Sequence, residues 1–300
     1  MLTFSLFSIA INFETKLSFK IHPLFLFRSV IGMQLHNTVC LFKKRKCIDC
    51  SINRECAYAM IFETIIDKDN SVLPKNEKSP HPFVLYSEAD ENVKTEKINL
   101  YVTIIGKAIS YFPYFYYALV KAGKYGIQKE RIKFEVNDVS VDGKSIIEDK
   151  DNVKMPEEFK KFELLSDTET FEEKSIKVEL KTPFRFKKDG KYLSDFEAND
   201  FFESIYRRLF VLNSLYGEGN FPEWKENKTI SIKEKNLFWK DLKHYSARQK
   251  DLLKLGGVVG SFILEGKFTP FDISLLKGAE VFNVGKNVAF GLGKVMLIEK

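Results

Sequence analysis

The order in which two hydrophobic periodicities alternate along the chain limits its fold more than any other feature. Apolar residues recur at every second position in residues 2–13, where Phe7, Ile9, Ile11 and Phe13 share a face, as a half-buried strand requires. Helical spacing follows over residues 24–39, with Gly32 inside it at a cost of about 1 kcal/mol relative to Ala, which implies close packing or close approach of a ligand. Strand-like segments at 82–87 and 97–105 come next, the second with Ile98, Leu100, Val102 and Ile104 on one side. Residues 108–122 predict an aromatic-rich helix with Pro113 in its first turn and Gly123 as its cap, its rings packed against a sheet. A strand at 131–136 closes the series, with Ile132, Phe134 and Val136 inward. Strand, helix, strand, strand, helix, strand is the order of a ferredoxin-like domain.

The same order returns in the second half. Residues 174–186 predict a strand with Ile176, Val178 and Leu180 on one face, and Asn199 or Asp200 caps a helix reaching Tyr216 with Phe201, Ile205, Leu209 and Leu212 as its stripe. A strand with a helical turn is expected over 229–245, a glycine-bounded strand over 256–266, a short helix over 271–282 and a last strand over 295–298. The fold class is therefore α+β, two tandem ferredoxin-like (βαββαβ) domains at 1–143 and 174–300, joined by a charged linker at 144–173.

Composition bears on partners and compartment. The net charge of +6 favours a polyanionic partner. Residues 1–13 carry no early Lys or Arg and are followed by Glu14, so they read as a strand and not as a signal peptide. No apolar run reaches the ~18 residues of a membrane span. All four cysteines fall in the pattern Cys40-x6-Cys47-x2-Cys50-x5-Cys56. This clustering fits a tetrathiolate metal site in a reducing, cytoplasmic compartment better than a disulfide framework; zinc and an iron–sulfur cluster are both compatible. Lys43, Lys44, Arg45 and Lys46 offset the thiolate charge. A redox pair is disfavoured, because no βαβ context surrounds the CxxC.

Near the C-terminus, Gly285, Gly291 and Gly293 lie in one short loop that also holds Lys286, Asn287 and Lys294. Glycine admits positive φ and lets a phosphate approach bare N–H groups. The loop leads into a strand, whereas nucleotide-binding fingerprints follow a strand and open a helix. It is thus either a cradle for phosphates outside those families or a tight turn without a ligand.

Several positions together resemble the CRISPR precursor-RNA processing endoribonucleases, a repeat-associated family, in their bacterial branch. They are Phe27-Arg28 and Gly32; Cys47 to Cys56 with Tyr58 and Phe62-Glu63; Ile105-Gly106; and Gly123, Gly126 and Phe134. In the second half they are Tyr245-Ser246, Arg248-Gln249, Gly256-Gly257, Gly260, Val284 to Asn287 and Phe290 to Gly293. His244 departs from the branch, which often carries Arg before Tyr-Ser. The resemblance implies cleavage of CRISPR repeat transcripts into guide RNAs with no catalytic cofactor. The 2′-hydroxyl attacks the adjacent phosphate, leaving a 2′,3′-cyclic phosphate and a 5′-hydroxyl. A base, an acid and cations are then required. His36, in the first helix where the family often carries its catalytic histidine, is the first candidate, and His244 with Tyr245 the second. His22 and His81 lie next to prolines with no comparable context. Arg28, Arg248, Lys286 and Lys294 are candidate phosphate contacts, with Gly285, Asn287, Gly291 and Gly293 shaping the loop. Two other readings stand beside the nuclease: a non-catalytic guide-RNA-binding subunit working with other CRISPR effector subunits, and a general RNA-binding protein with a zinc-stabilised fold.

Overall fold

The computed structural model describes residues 1–65, 73, 79–166, 170–188, 190–246 and 251–299. The chain divides into two compact units, one of Thr3–Lys160 and one of Met1–Leu2 with Lys161–Lys300.

The first unit holds β1 (Leu2–Ser18), α1 (Pro23–Val39), β2 (Phe83–Tyr86), β3 (Lys94–Ile105), α2 (Phe112–Tyr125), β4 (Phe134–Val141) and a short β5 (Lys144–Ser145). Along the main path of its sheet the order is β2-β3-β1-β4-β5, with the four principal strands antiparallel, which is the ferredoxin-like arrangement. Register pairs Phe7 with Val102, Ile9 with Leu100 and Ile11 with Ile98. All six are buried, so the alternation seen in the sequence is a true core face. The register between β1 and β4 shifts between Ala10 and Ile11, whose partners are Asp138 and Val136. This bulge passes the buried face from Phe134 to Val139, which a strict two-residue period does not anticipate.

The helices cover that face. Phe112 stacks on Phe7 with centroids 3.5 Å apart, and Phe27 meets Phe134 edge-on at 5.7 Å. The aromatic helix buries Phe112, Phe115 and Tyr116 and leaves Tyr114 exposed, as packing against a sheet demands. Two expectations need correction here. Residues Gly106–Tyr111 form a 3-10 turn ahead of α2, because Pro113 fits only the first turn of the α-helix. The cap is Gly126, at φ +84°, and not Gly123. Gly123 lies within α2, where a Cβ would come 2.2 Å from the main-chain oxygen of Phe134.

After β6 (Lys160–Phe162), the second unit holds β7 (Glu172–Phe184), the small hairpin of β8 (Lys187–Lys188) and β9 (Lys191–Tyr192), α3 (Ala198–Tyr216), β10 (Ser231–Ser246), β11 (Asp251–Phe268), α4 (Pro270–Phe282) and β12 (Val295–Glu299). Its sheet runs β10-β11-β7-β12, the same antiparallel topology. The stripe Phe201, Ile205, Leu209 and Leu212 of α3 is buried, with Phe201 edge-on to Phe262 at 5.2 Å. Glu197 caps α3, not Asn199 or Asp200, because Asp200 at N3 closes a reciprocal capping box. The region 229–245 contains no helical turn. From Ser231 onward it is one long strand, β10, its register interrupted between Lys233 and Asn236. The charged stretch 144–173 carries β5, β6 and an isolated bridge between Ile147 and Val153. Among the described residues no helix is long and apolar enough to cross a membrane.

Gly123→Ala is expected to lower stability by about 1–2 kcal/mol, since the clash with a backbone oxygen outweighs the ~1 kcal/mol helical preference for Ala. Urea unfolding checks this, and an unchanged or raised midpoint would refute the close contact.

Candidate nucleic-acid interface

Arg28, Gly32 and His36 are spaced four apart on α1 and so form one stripe of the helix. The stripe faces a short helical segment whose Tyr58 and Phe62 are also four apart. The ring of Phe62 lies over Gly32, where a Cβ would meet its edge at 3.0 Å. This is the close approach that a glycine inside a helix implied. Tyr58 stacks with Phe62 at 5.8 Å and meets the ring of His36 edge-on at 4.8 Å. At the other end the guanidinium of Arg28 lies 5.6 Å from the centre of Phe62 and places Nη2 3.0 Å from Nε2 of His81.

That last contact sets a tautomer. Arginine only donates, so Nε2 of His81 accepts, and the ring proton sits on Nδ1, which lies 3.5 Å from Oγ1 of Thr64. His81 also stacks on Phe83 of β2 at 5.7 Å. His81 is therefore a neutral brace for Arg28 in this arrangement. Thr64 ends a π-helical turn, Ala59–Glu63, with left-handed backbone at φ 46°, an uncommon conformation for a β-branched residue. Wide turns of this kind concentrate at functional sites. His36, Tyr58, Arg28 and His81 are all half-buried, so a ligand can reach the line of side chains that Phe62 holds together. Sequence reasoning set His81 aside as a loop residue and gave Tyr58 no role. The matching four-residue spacings on either side of the cysteines were the signal that could have found Tyr58. Nothing local marks His81, which β2 brings to Arg28.

The second candidate lies in the other unit, between α4 and β12. Here the glycines turn the chain tightly. Gly285, Gly291 and Gly293 have φ of 81°, 80° and 70°, and a Cβ on Gly293 would lie 1.8 Å from the carbonyl oxygen of Val284. The amides of Gly291 and Gly293 donate to the carbonyls of Val288 and Pro183, at 2.8 and 3.0 Å. Thr182 on β7 ties the base of the loop, donating to the carbonyl of Gly291 at 2.7 Å and accepting from the amide of Lys294 at 2.9 Å. Behind it Arg185 donates to the carbonyl of Gly256 at 2.6 Å, stacks 4.1 Å over Tyr192, and accepts the amide of Lys286 on its own carbonyl.

These bonds sort the sequence candidates. Lys286 and Asn287 stand exposed at the tip, Asn287 in left-handed conformation. Lys294 turns its Nζ to the carbonyl of Glu280; burial pushes its ammonium below the ordinary lysine value, opposed in part by the Glu280 carboxylate. The loop thus presents a side-chain cation and amide, while Gly291 and Gly293 use their own amides to hold its shape. His244 and Tyr245 lie on β10, in register with Leu253 and Leu252 of β11, and are not in the unit that holds His36. Arg248 lies outside the described residues.

The four cysteines line one pocket with Leu41, Phe42, Arg45, Ile52, Asn53, Tyr58 and Ala59. Burial first, then Glu63 and the other three thiols, push Cys47 up to about 11, so it is not an activated nucleophile. Among the described residues, no three His, Cys, Asp or Glu side chains stand in the close arrangement of a bound ion.

Two ferredoxin-like units, one with a histidine–tyrosine line on its first helix and one with a lysine-tipped glycine loop, define a protein of the RNA-recognition-like class. Comparison with known proteins identifies the family. Residues 2–159 match the AF_1859_N family model, described as an N-terminal domain, and residues 178–295 match CRISPR-associated endoribonuclease Cas6. The part of the chain over residues 178–295 belongs to the Cas6 family, and the part over residues 2–159 to the AF_1859_N family. The fold of the chain is similar to that of a Thermus thermophilus Cas6 (TM-score 0.53, 11% identity, 99% of both chains) and a Cas6-related protein of Pyrococcus furiosus (TM-score 0.50, 12% identity, 99% of both chains). It is also similar to a chain of a Cas6-RT-Cas1–Cas2 complex (TM-score 0.56, 13% identity), matched over 100% of this chain but spanning only 46% of that one. No curated protein matches the sequence.

Thr182→Val keeps the shape of the side chain but strands the amide of Lys294 and the carbonyl of Gly291. A loss of about 1–3 kcal/mol is expected, with faster amide hydrogen exchange at Lys294. Exchange and stability equal to wild type would show that Thr182 does not tie the loop.

Proposed function

We propose that this protein is an endoribonuclease that cleaves CRISPR repeat transcripts into guide RNAs, with no metal in the cut, leaving 2′,3′-cyclic phosphate and 5′-hydroxyl ends. The match of residues 178–295 to the Cas6 endoribonuclease model carries the reading. The line of side chains on α1 supplies chemistry suited to it. Histidine is the side chain whose ordinary titration lies nearest neutrality, so His36 is placed to move the proton of the 2′-hydroxyl or of the leaving 5′-oxygen. Tyr58, edge-on to His36, limits its ring to one orientation and offers a hydroxyl donor. Arg28, braced by His81, is the fixed cation that a developing phosphorane needs. Substrate choice follows, because a nucleophile taken from the substrate's own 2′-hydroxyl restricts the reaction to RNA.

Lys286 and Asn287 contact the RNA backbone at the tip of the glycine loop, so they contribute to affinity and positioning and not to the proton transfers. His244 and Tyr245 on β10 are the second candidates for the proton transfers, and Arg248 is a further candidate phosphate contact. The similarity to part of a Cas6-RT-Cas1–Cas2 complex supports other CRISPR-associated proteins as partners.

The deciding experiment incubates the protein with its cognate repeat RNA in EDTA and analyses the product ends. Cleavage to a cyclic phosphate is expected, and a single 2′-deoxy substitution at the scissile nucleotide should abolish it. If the wild-type protein binds the repeat but never cuts it, the nuclease reading fails and a guide-RNA-holding subunit takes its place. His36→Ala should slow cleavage by about 10²–10⁴-fold with little change in RNA affinity; wild-type rates would remove His36 from the mechanism. Lys286→Ala should weaken binding to all sequences alike and lower the salt dependence by about one phosphate contact. An unchanged salt slope would take Lys286 off the RNA.

A further inference from the structure

The segment Cys40–Cys56 is held in a defined conformation although not one of its residues is buried. Leu41 is 76% exposed, Ile48 56% and Phe42 43%, so the segment has no hydrophobic core of its own. Small modules without a core of their own are commonly stapled by disulfides or a structural metal, and a cysteine-rich exposed segment invites the same question. Its four cysteines, all free thiols, are suited to either.

We propose that Cys40, Cys47, Cys50 and Cys56 bind a structural zinc ion. Their placement is that of a ligand set. Cys40 follows directly on α1, its amide donating to the carbonyl of His36 at 3.0 Å. Cys56 begins the helical segment that carries Tyr58, its carbonyl accepting the amide of Met60 at 2.9 Å. Two ligands thus stand on the ends of regular elements. The other two stand on a tight knuckle: the amide of Cys50 donates to the carbonyl of Cys47 at 3.1 Å, and the side-chain amide of Asn53 donates to the carbonyls of Cys47 and Ile48 at 3.2 and 3.4 Å. A CxxC turn fixed in this way presents two thiols to one point.

The four thiols line one shared pocket, so they converge on a single site. Thiolate ligands in fourfold number select zinc among the ions that take tetrahedral geometry without redox chemistry. The thiols do not yet stand at ligand geometry, but each sulfur moves through three staggered positions about a single torsion, with its backbone fixed. Arg45 lines the pocket, and Lys43, Lys44 and Lys46 are its sequence neighbours, a local positive charge opposite in sign to the two excess negative charges of a tetrathiolate zinc centre. Because His36 lies four residues before the first ligand and Tyr58 two residues after the last, the ion closes the loop that joins them and holds the two rings in contact.

The test is made on the full-length protein, purified without chelators after growth with zinc. Elemental analysis should find about one zinc per chain and no iron, and a mercurial titration should release the zinc in step with the loss of four thiols. Replacement by Co²⁺ should give the intense visible absorption of a tetrahedral thiolate site. Cys47→Ser combined with Cys50→Ser should abolish retention of zinc and speed proteolysis between residues 41 and 55. Should that variant fail to fold, the titration and the cobalt spectrum of the wild-type protein decide. Zinc far below one per chain after reconstitution, zinc released without any reaction of the thiols, iron with acid-labile sulfide, or a disulfide between any two of the cysteines would each overturn the proposal. None of these readouts depends on RNA cleavage.

Discussion

In each unit the two middle strands, β1 with β3 and β7 with β11, pair along most of their length, and the other elements hang on that pair. A buried main chain must have its N–H and C=O groups satisfied, and a central strand achieves this only with a neighbour on both sides. The pairing also settles register, because a slip of one residue would turn Phe7, Ile9 and Ile11 away from the helices. With register settled, α1 and α2 in one unit and α3 and α4 in the other have an apolar face on which to lie. The connections at the strand ends are then the places free to carry function.

The two candidate sites lie at such places and are built in two different ways. On α1, one glycine lets an aromatic ring lie against the helix, and that ring links the positions four residues before and after it. Arg28 and His36 do not touch; each is positioned through Phe62 and its neighbours, His81 at one end and Tyr58 at the other. The result is a fixed cation and an oriented imidazole on a rigid element, the kind of support that precise proton transfer demands. The glycine loop works by the opposite logic. The amides of Gly291, Gly293 and Lys294 hold its shape, and its exposed tip consists of the Lys286 and Asn287 side chains.

The amide bonding of the loop also shows why glycine content alone is a poor guide to phosphate binding. Positive φ at Gly285, Gly291 and Gly293 is a requirement of the turn, and Gly293 in addition lies against the Val284 carbonyl with no room for any side chain. Such a loop has the same sequence signature as a cradle of bare N–H groups. What separates them is the position of Thr182 and Pro183, more than a hundred residues earlier in the chain, which take up the bonds on the inside of the turn.

Periodicity alone determined the number, kind and order of the principal elements, because the alternation of apolar residues is a local record of which face each element buries. It located the stripe of α3, the inward faces of β1, β3 and β7, and the closeness of packing at Gly32. It missed two features that depend on a partner in another element, the bulge that shifts the buried face of β4 and Gly123 spent on a contact with Phe134 and not on a helix end, and one local feature, the Glu197–Asp200 box that starts α3 ahead of its expected cap. The candidate site divides in the same way. His36 and Arg28 became candidates through the family resemblance, and their four-residue spacing with Gly32 puts them on one stripe of α1. His81 was not legible, because only the pairing of β2 with β3 carries it to Arg28, and a contact between residues 53 positions apart leaves no local trace. The sequence by itself thus determined the topology and the supply of chemical groups. The tertiary structure alone decided which of those groups meet, because meeting depends on register and on the room that single glycines leave.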